Sequence, residues 1–188
     1  MSEKLKDSLT QFHDNGAYPP TRTIKLYGEI DLDSQELFIT NFHALDQTSG
    51  TITILLSSEG GCVGAGLAIY DEIRASNNLV RIICQGEVAS MATVILQAGD
   101  ERIMRPNSYL MLHLGEQESS GHPTSKKEWD RFTQIQEDKC NMIYLKRIKE
   151  KKQRFSKNRL TKMITHDKIF SPDEAVNLGL ADKIEGEV

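Results

Sequence analysis

Along the first half of the chain, stretches that read as strands alternate with stretches that read as helices. That alternation limits the fold more than any other feature. Thr23-Ile24-Lys25-Leu26-Tyr27-Gly28 alternates apolar and polar residues as a strand does, and Thr51-Ile52-Thr53-Ile54-Leu55-Leu56 and Leu79-Val80-Arg81-Ile82-Ile83-Cys84 are apolar runs of strand length. Helical spacing separates them. Asp33-Ser34-Gln35-Glu36 has the spacing of a capping box ahead of Leu37, Phe38, Phe42 and Leu45, a second helix is predicted over residues 63–75, and a third from Ser90. Short strands at 102–104 and 109–112 flank Pro106-Asn107. Strands joined through helices imply right-handed crossovers and an α/β core.

The chain of 188 residues carries a formal net charge of −4, with 38% apolar and 27% charged residues, as expected of one water-soluble domain with or without an appendage. Three scattered cysteines, Cys62, Cys84 and Cys140, with no CxxC pair, argue for a reducing compartment and against a disulfide framework or a zinc site. The first residues lack the apolar core of a signal peptide, and no run approaches the length of a membrane span. A cytoplasmic protein with no membrane partner is the expectation. Residues 1–20, ending in Tyr18-Pro19-Pro20, read as an arm or loop.

The second half differs. Residues 115–123 are rich in Gly, Ser and His and read as a loop. Ser125-Lys126-Lys127-Glu128 has capping-box spacing and is expected to open a helix from Trp129 to about Phe155, on the order of 40 Å long. A helix of that length outruns one small domain, so part of it should project and meet a partner. Residues 125–158 hold 11 Lys or Arg against 5 Asp or Glu, and the basic run from Lys146 to Lys157 reads as a solvated face and not as a nucleic-acid site. Ser171-Pro172-Asp173-Glu174 joins an N-cap, a proline at the first helical position and an acid at the third. Gly179 should end that helix, and residues 180–184 should return as an edge strand.

Ser90 sits at a strand-to-helix turn, in Gly86-Glu87-Val88-Ala89-Ser90-Met91-Ala92-Thr93. Unpaired backbone N–H groups at a helix start favour a developing negative charge, which suits a nucleophile. Serine is also a preferred N-cap, so the local pattern leaves both roles open. His113 ends an apolar strand just before a glycine, placed either as a general base or as a half-buried structural histidine. Asp167 precedes the strong helix start as a surface or capping residue, and Gly60-Gly61 forms a tight turn or a place where backbone meets ligand. The GxSxG nucleophile elbow is absent, since Val88 and Ala92 occupy its glycine positions. Cys84 lies in a buried strand, and Cys62 has no base beside it in sequence.

Taken in order, residues 57–71 (Ser57-Ser58-Glu59-Gly60-Gly61-Cys62 onward), 86–92, 105–113 (Arg105-Pro106-Asn107-Ser108 to His113) and 167–182 (Asp167-Lys168-Ile169-Phe170-Ser171 to Asp182) resemble the family of the ATP-dependent Clp protease proteolytic subunit, ClpP. The resemblance runs from about Ile24 to Ile184. It implies an α/β fold of the ClpP/crotonase type, built of repeated ββα units with a long projecting handle helix. It also implies an axial-pore arm at 1–20, a head at 21–114 and 158–188, and a handle at 115–157. By motif, Ser90 corresponds to the nucleophile, His113 to the base and Asp167 to the orienting acid. The backbone N–H groups of Gly61 and Met91 correspond to the oxyanion hole.

The activity so implied is that of a serine endopeptidase acting on unfolded polypeptides within heptameric rings stacked in pairs. The resemblance implies no metal and no cofactor. ATP would be used by a partner, an AAA+ unfoldase, because the chain has no GxxxxGK[ST] loop. A host ClpP-like subunit is a further partner the resemblance allows. Glu59 stands at the family's usual proline, Ala92 at its usual glycine, and Thr53, Leu55 and Ile103 where an aromatic docking pocket is usual. Two other readings are a phage-type, prohead-like processing protease and a non-catalytic ring subunit.

Overall fold

The computed structural model describes residues 16–114 and 123–186. Strands β1 (Ala17–Tyr18), β2 (Thr23–Ile30), β3 (Ile52–Gly61), β4 (Val80–Ala89), β5 (Glu101–Met104), β6 (Tyr109–Leu112), β7 (Lys168–Phe170) and β8 (Lys183–Ile184) form one sheet. Helices α1 (Leu32–Asp46), α2 (Val63–Ala75) and α3 (Met91–Leu96) connect the central strands, which run parallel in the order β2-β3-β4-β5-β8. The expected α/β class is borne out.

Alternation does the sorting within the sheet. Ile52, Ile54 and Leu56 of β3 and Val80, Ile82 and Cys84 of β4 are buried, in register with one another. Every residue of α3 is buried, and all but Thr93 are apolar, as suits a helix enclosed by other elements. None of the helices among the described residues is long and apolar enough to cross a membrane.

β4 is the element that positions the site. Its first half pairs with β5 (Arg81↔Glu101 to Cys84↔Met104), and its second half with β6 (Glu87↔Tyr109 to Ala89↔Met111). Gly86, at φ +56, lies between the two halves, where residues with a Cβ are disfavoured. The strand therefore leaves one neighbour for another and delivers its last residue above the sheet, at the start of α3.

Several boundaries differ from expectation. The first helix is capped by Asp31, whose carboxylate accepts from the Ser34 N–H at 2.7 Å while the Ser34 hydroxyl accepts from the Asp31 N–H at 2.9 Å. The capping box thus begins two residues before Asp33, because serine replaces the usual Glu or Gln at its third position. Residues 57–61 are extended and continue β3, so Gly60 and Gly61, read from the sequence as a tight turn or a backbone–ligand contact, lie in a strand opposite Glu29 and Ile30. Residues 16–20, expected within an arm, include a strand: β1 pairs antiparallel with β2, and Ala17 is buried. Residues 1–15 lie outside the described residues, as do 115–122 within the expected loop.

The long helix α4 spans Pro123–Lys151, 29 residues, so Ser125-Glu128 lies inside it and not at its start. It ends short of Phe155 at a turn, followed by α5 (Lys157–Met163), which the sequence pattern does not reveal. At about 1.5 Å per residue α4 is roughly 44 Å long. Its second half docks through Tyr144, Leu145 and Ile148, while Trp129, Phe132 and Ile135 in its first half are exposed. The basic run is only partly solvated. Arg147 donates from Nε to the Gln97 carbonyl at 2.9 Å and from Nη2 to that of Gly99 at 2.7 Å, fastening α4 behind α3.

Helix α6 (Pro172–Leu178) starts and stops where its residues predict. Ser171 and Glu174 form a reciprocal capping box, and Gly179 closes the helix at φ +95. Buried Arg102 then ties this end to β5. It meets Asp182 with Nε at 3.2 Å and Nη2 at 2.5 Å, and donates from Nη1 to Gln97 Oε1 at 2.8 Å and to the Gly179 carbonyl at 3.0 Å.

Candidate active site

Ser90 occupies the N-cap position of α3, yet its side chain makes no capping bond. Its backbone stands at φ +50, ψ −123, a region costing a residue with a Cβ on the order of 1–3 kcal/mol. The surroundings hold it there. The Ser90 N–H donates to the Met111 carbonyl at 2.8 Å, and the Ser90 carbonyl accepts from the Thr93 N–H at 3.0 Å and the Thr93 hydroxyl at 2.6 Å. Of the two roles that serine can play at such a turn, capping is the one it does not take.

The hydroxyl instead meets His113, with Oγ to Nε2 at 2.7 Å. Sheet register explains the encounter. Ala89 pairs with Met111, so Ser90 leaves β4 level with Leu112, one residue before His113 at the end of β6. Asp167 arrives by the same logic from the other side. β7 pairs antiparallel with β6 through Leu110↔Phe170, Met111↔Ile169 and Leu112↔Lys168, and the next step along both chains faces His113 with Asp167. Asp167 Oδ1 lies 3.9 Å from His113 Nδ1, an ion-pair distance beyond hydrogen-bond reach, and its side chain is 73% exposed.

Gly60 and Gly61 close the remaining side. A Cβ on Gly60 would lie 2.7 Å from Ser90 Cβ and 2.9 Å from the Met91 nitrogen, so only glycine lets β3 approach the turn. Gly61, at φ +142, presses against β2, where a Cβ would lie 2.3 Å from the Ile30 carbonyl oxygen. Met91 is the first residue of α3, so its N–H has no carbonyl to meet within the helix. Gly61, Met91, Ser90 and His113 all face one cavity of about 540 Å³.

The family profile for Clp protease matches residues 12–187. The chain belongs to the Clp protease family. Over 95 residues it is 40% identical to a protein of Carsonella ruddii (strain PV) named ATP-dependent Clp protease proteolytic subunit, a match covering 49% of this chain and 49% of that protein. The matched segment thus spans about half the length of this curated relative.

In this member of the Clp protease family the cavity is walled on one side by α4. Trp129 and Phe132, packed edge to face with centroids 5.9 Å apart, border it, and Cys140, Asn141 and Tyr144 lie farther along the same helix. The sequence pattern did not single out Thr93 or Tyr144, whose hydroxyls meet at 2.6 Å in the buried space behind Ser90. A tyrosine on a long amphipathic helix gives no local sign of such a contact. Cys62 and Cys140 also border the cavity. Burial pushes the Cys140 thiol up to about 11 and the Cys84 thiol upward as well, so both stay protonated near neutral pH. Of the other histidines, His43 pairs with Glu72 at 2.8 Å and, like the exposed His166, does not line the cavity, and His13 and His122 lie outside the described residues. Among the described residues no three His, Cys, Asp or Glu side chains gather as metal ligands.

Proposed function

We propose that this chain is the proteolytic subunit of a Clp-type serine endopeptidase. The observation that carries the reading is the 2.7 Å contact between His113 Nε2 and a serine that sits at a helix start without capping it. His113 takes the Ser90 proton as Oγ attacks a peptide carbonyl, forming the C–O bond of a tetrahedral intermediate. The N–H groups of Gly61 and Met91 hold the oxyanion. His113 then passes the proton to the leaving amine as the C–N bond breaks, and water releases the acyl group by the reverse sequence. Asp167 steadies the imidazolium from Nδ1. At 3.9 Å and largely exposed, it does so as a solvent-screened ion-pair partner and not through a closed hydrogen bond.

The substrates are unfolded polypeptides, which can lie extended across the cavity as a folded domain cannot. The subunit works in paired heptameric rings. The exposed Trp129, Phe132, Ile135 and Met142 on α4 support an assembled state, because an apolar edge of this kind is a recurring mark of protein contact. Hydrolysis itself needs neither metal nor cofactor, and ATP is consumed by an AAA+ partner that feeds the chamber. The test is hydrolysis of short fluorogenic peptides by wild type and Ser90→Ala, with particle size measured on the same samples. Turnover on a particle far larger than 21.2 kDa, abolished by Ser90→Ala, supports the proposal. Turnover that survives the substitution refutes it.

A further inference from the structure

Thr93 and Tyr144 form a buried hydrogen-bonded chain that ends on the nucleophile's own peptide group. Thr93 Oγ1 lies 2.6 Å from the Ser90 carbonyl oxygen and 2.6 Å from Tyr144 Oη. Thr93 is fully buried and Tyr144 is 5% exposed. A hydroxyl has one proton to give. The Ser90 carbonyl can only accept, so Thr93 must donate to it, and the second contact must be donated by Tyr144. Donor counting therefore fixes the direction of the chain: Tyr144 to Thr93 to Ser90.

The Ser90 carbonyl and the Met91 N–H belong to one planar trans peptide and point in opposite directions. Whatever fixes the oxygen aims the N–H. The Ser90 backbone is in a strained region, and such a conformation persists only when its neighbours over-determine it. We infer that Thr93 and Tyr144 are positioning residues that lock the Ser90–Met91 peptide, and so aim the Met91 N–H at the oxyanion. Through Tyr144, the docked half of α4 takes part in setting the site. The inference rests on the proteolytic reading above.

The test compares Thr93→Val, Thr93→Ser, Tyr144→Phe and the double variant Thr93→Val/Tyr144→Phe in the full-length assembled protein, with Ser90→Ala as control. kcat, KM and melting temperature are measured for each with a short fluorogenic peptide. Thr93→Val is expected to lower kcat about 10–100-fold, short of outright loss of an oxyanion donor, with KM changed less than about 3-fold. Thr93→Ser keeps the hydroxyl and should retain most of kcat. Thr93→Val also strands the buried Tyr144 hydroxyl and should lower the melting temperature. The double variant removes both polar partners, so stability should recover while kcat stays low.

Activity that tracks melting temperature across the set, or wild-type kcat in Thr93→Val, overturns the inference. Should Thr93→Val not fold, Tyr144→Phe decides alone. A kcat about 3–10-fold lower at unchanged melting temperature supports the inference, and an unchanged kcat overturns it. Wild-type turnover that survives Ser90→Ala overturns the proteolytic reading and this inference together. Turnover abolished by Ser90→Ala but untouched in Thr93→Val and Tyr144→Phe overturns this inference only.

Discussion

His113 Nδ1 and Asp167 Oδ1 stand 3.9 Å apart, while Nε2 on the other side of the same ring lies 2.7 Å from Ser90 Oγ. One side of the His113 ring is engaged and the other is open to water.

That asymmetry sets the expected cost of losing the acid. A buried, hydrogen-bonded carboxylate in this role is worth about 10⁴-fold in turnover. An exposed one at ion-pair distance is screened, so Asp167→Asn should reduce kcat about 10–100-fold. Steady-state kinetics on the assembled particle checks this. A loss near 10⁴-fold would mean that the pair closes fully during turnover.

Gly60 admits no side chain because β3 lies against the turn that carries Ser90. Gly60→Ala must displace either Ser90 or the Met91 amide, and at φ +101 it is strained as well. Turnover should fall at least about 100-fold, as misplacement by an ångström can cost that much. Near-normal kcat in a folded Gly60→Ala protein would show that the turn gives way easily.

Arg102 is buried and shares its charge with Asp182. Asp182→Ala leaves the guanidinium with only the Gln97 and Gly179 oxygens, and should destabilise the fold by about 3 kcal/mol. Chemical denaturation measures it. A change below about 0.5 kcal/mol would mean that water compensates the charge through the exposed side of Asp182.

Asp46 gives a pH dependence. The Ser76 hydroxyl, at 2.5 Å, holds its carboxyl below the usual value of 3.8, helped by the Asn78 amide and opposed by burial. The unfolded chain therefore takes up this proton first as pH falls. The stabilisation is complete above 3.8 and is lost as pH drops through the lower folded value. Urea midpoints at about pH 5 and about pH 3 should fall farther in wild type than in Asp46→Asn. Equal falls in the two proteins would contradict this.

The alternation of strands and helices was legible in the sequence because the core strands bury Ile, Leu and Val in a period of two, and because Ser171-Pro172-Asp173-Glu174 is a strong local signal. Ser90, His113 and Asp167 stand out in the sequence through motifs, but not through local physics. Serine before a helix reads as a cap until its φ of +50 and its missing capping bond are known. Asp167 reads as a surface acid until the β6–β7 register places it opposite His113. Gly60-Gly61 reads as a turn because paired glycines usually are one, whereas here close approach to Ser90 and Ile30 demands them in a strand. Thr93 and Tyr144 are 51 residues apart, so their meeting is set by tertiary packing that no local window contains.

The central claim is that Ser90 is an activated nucleophile. Intact-mass analysis after fluorophosphonate treatment tests it most directly, on wild type and on Ser90→Ala. The account predicts one covalent adduct per chain in wild type and none in Ser90→Ala. An adduct that persists in Ser90→Ala, or an assembled wild-type particle that takes up no label, would contradict it.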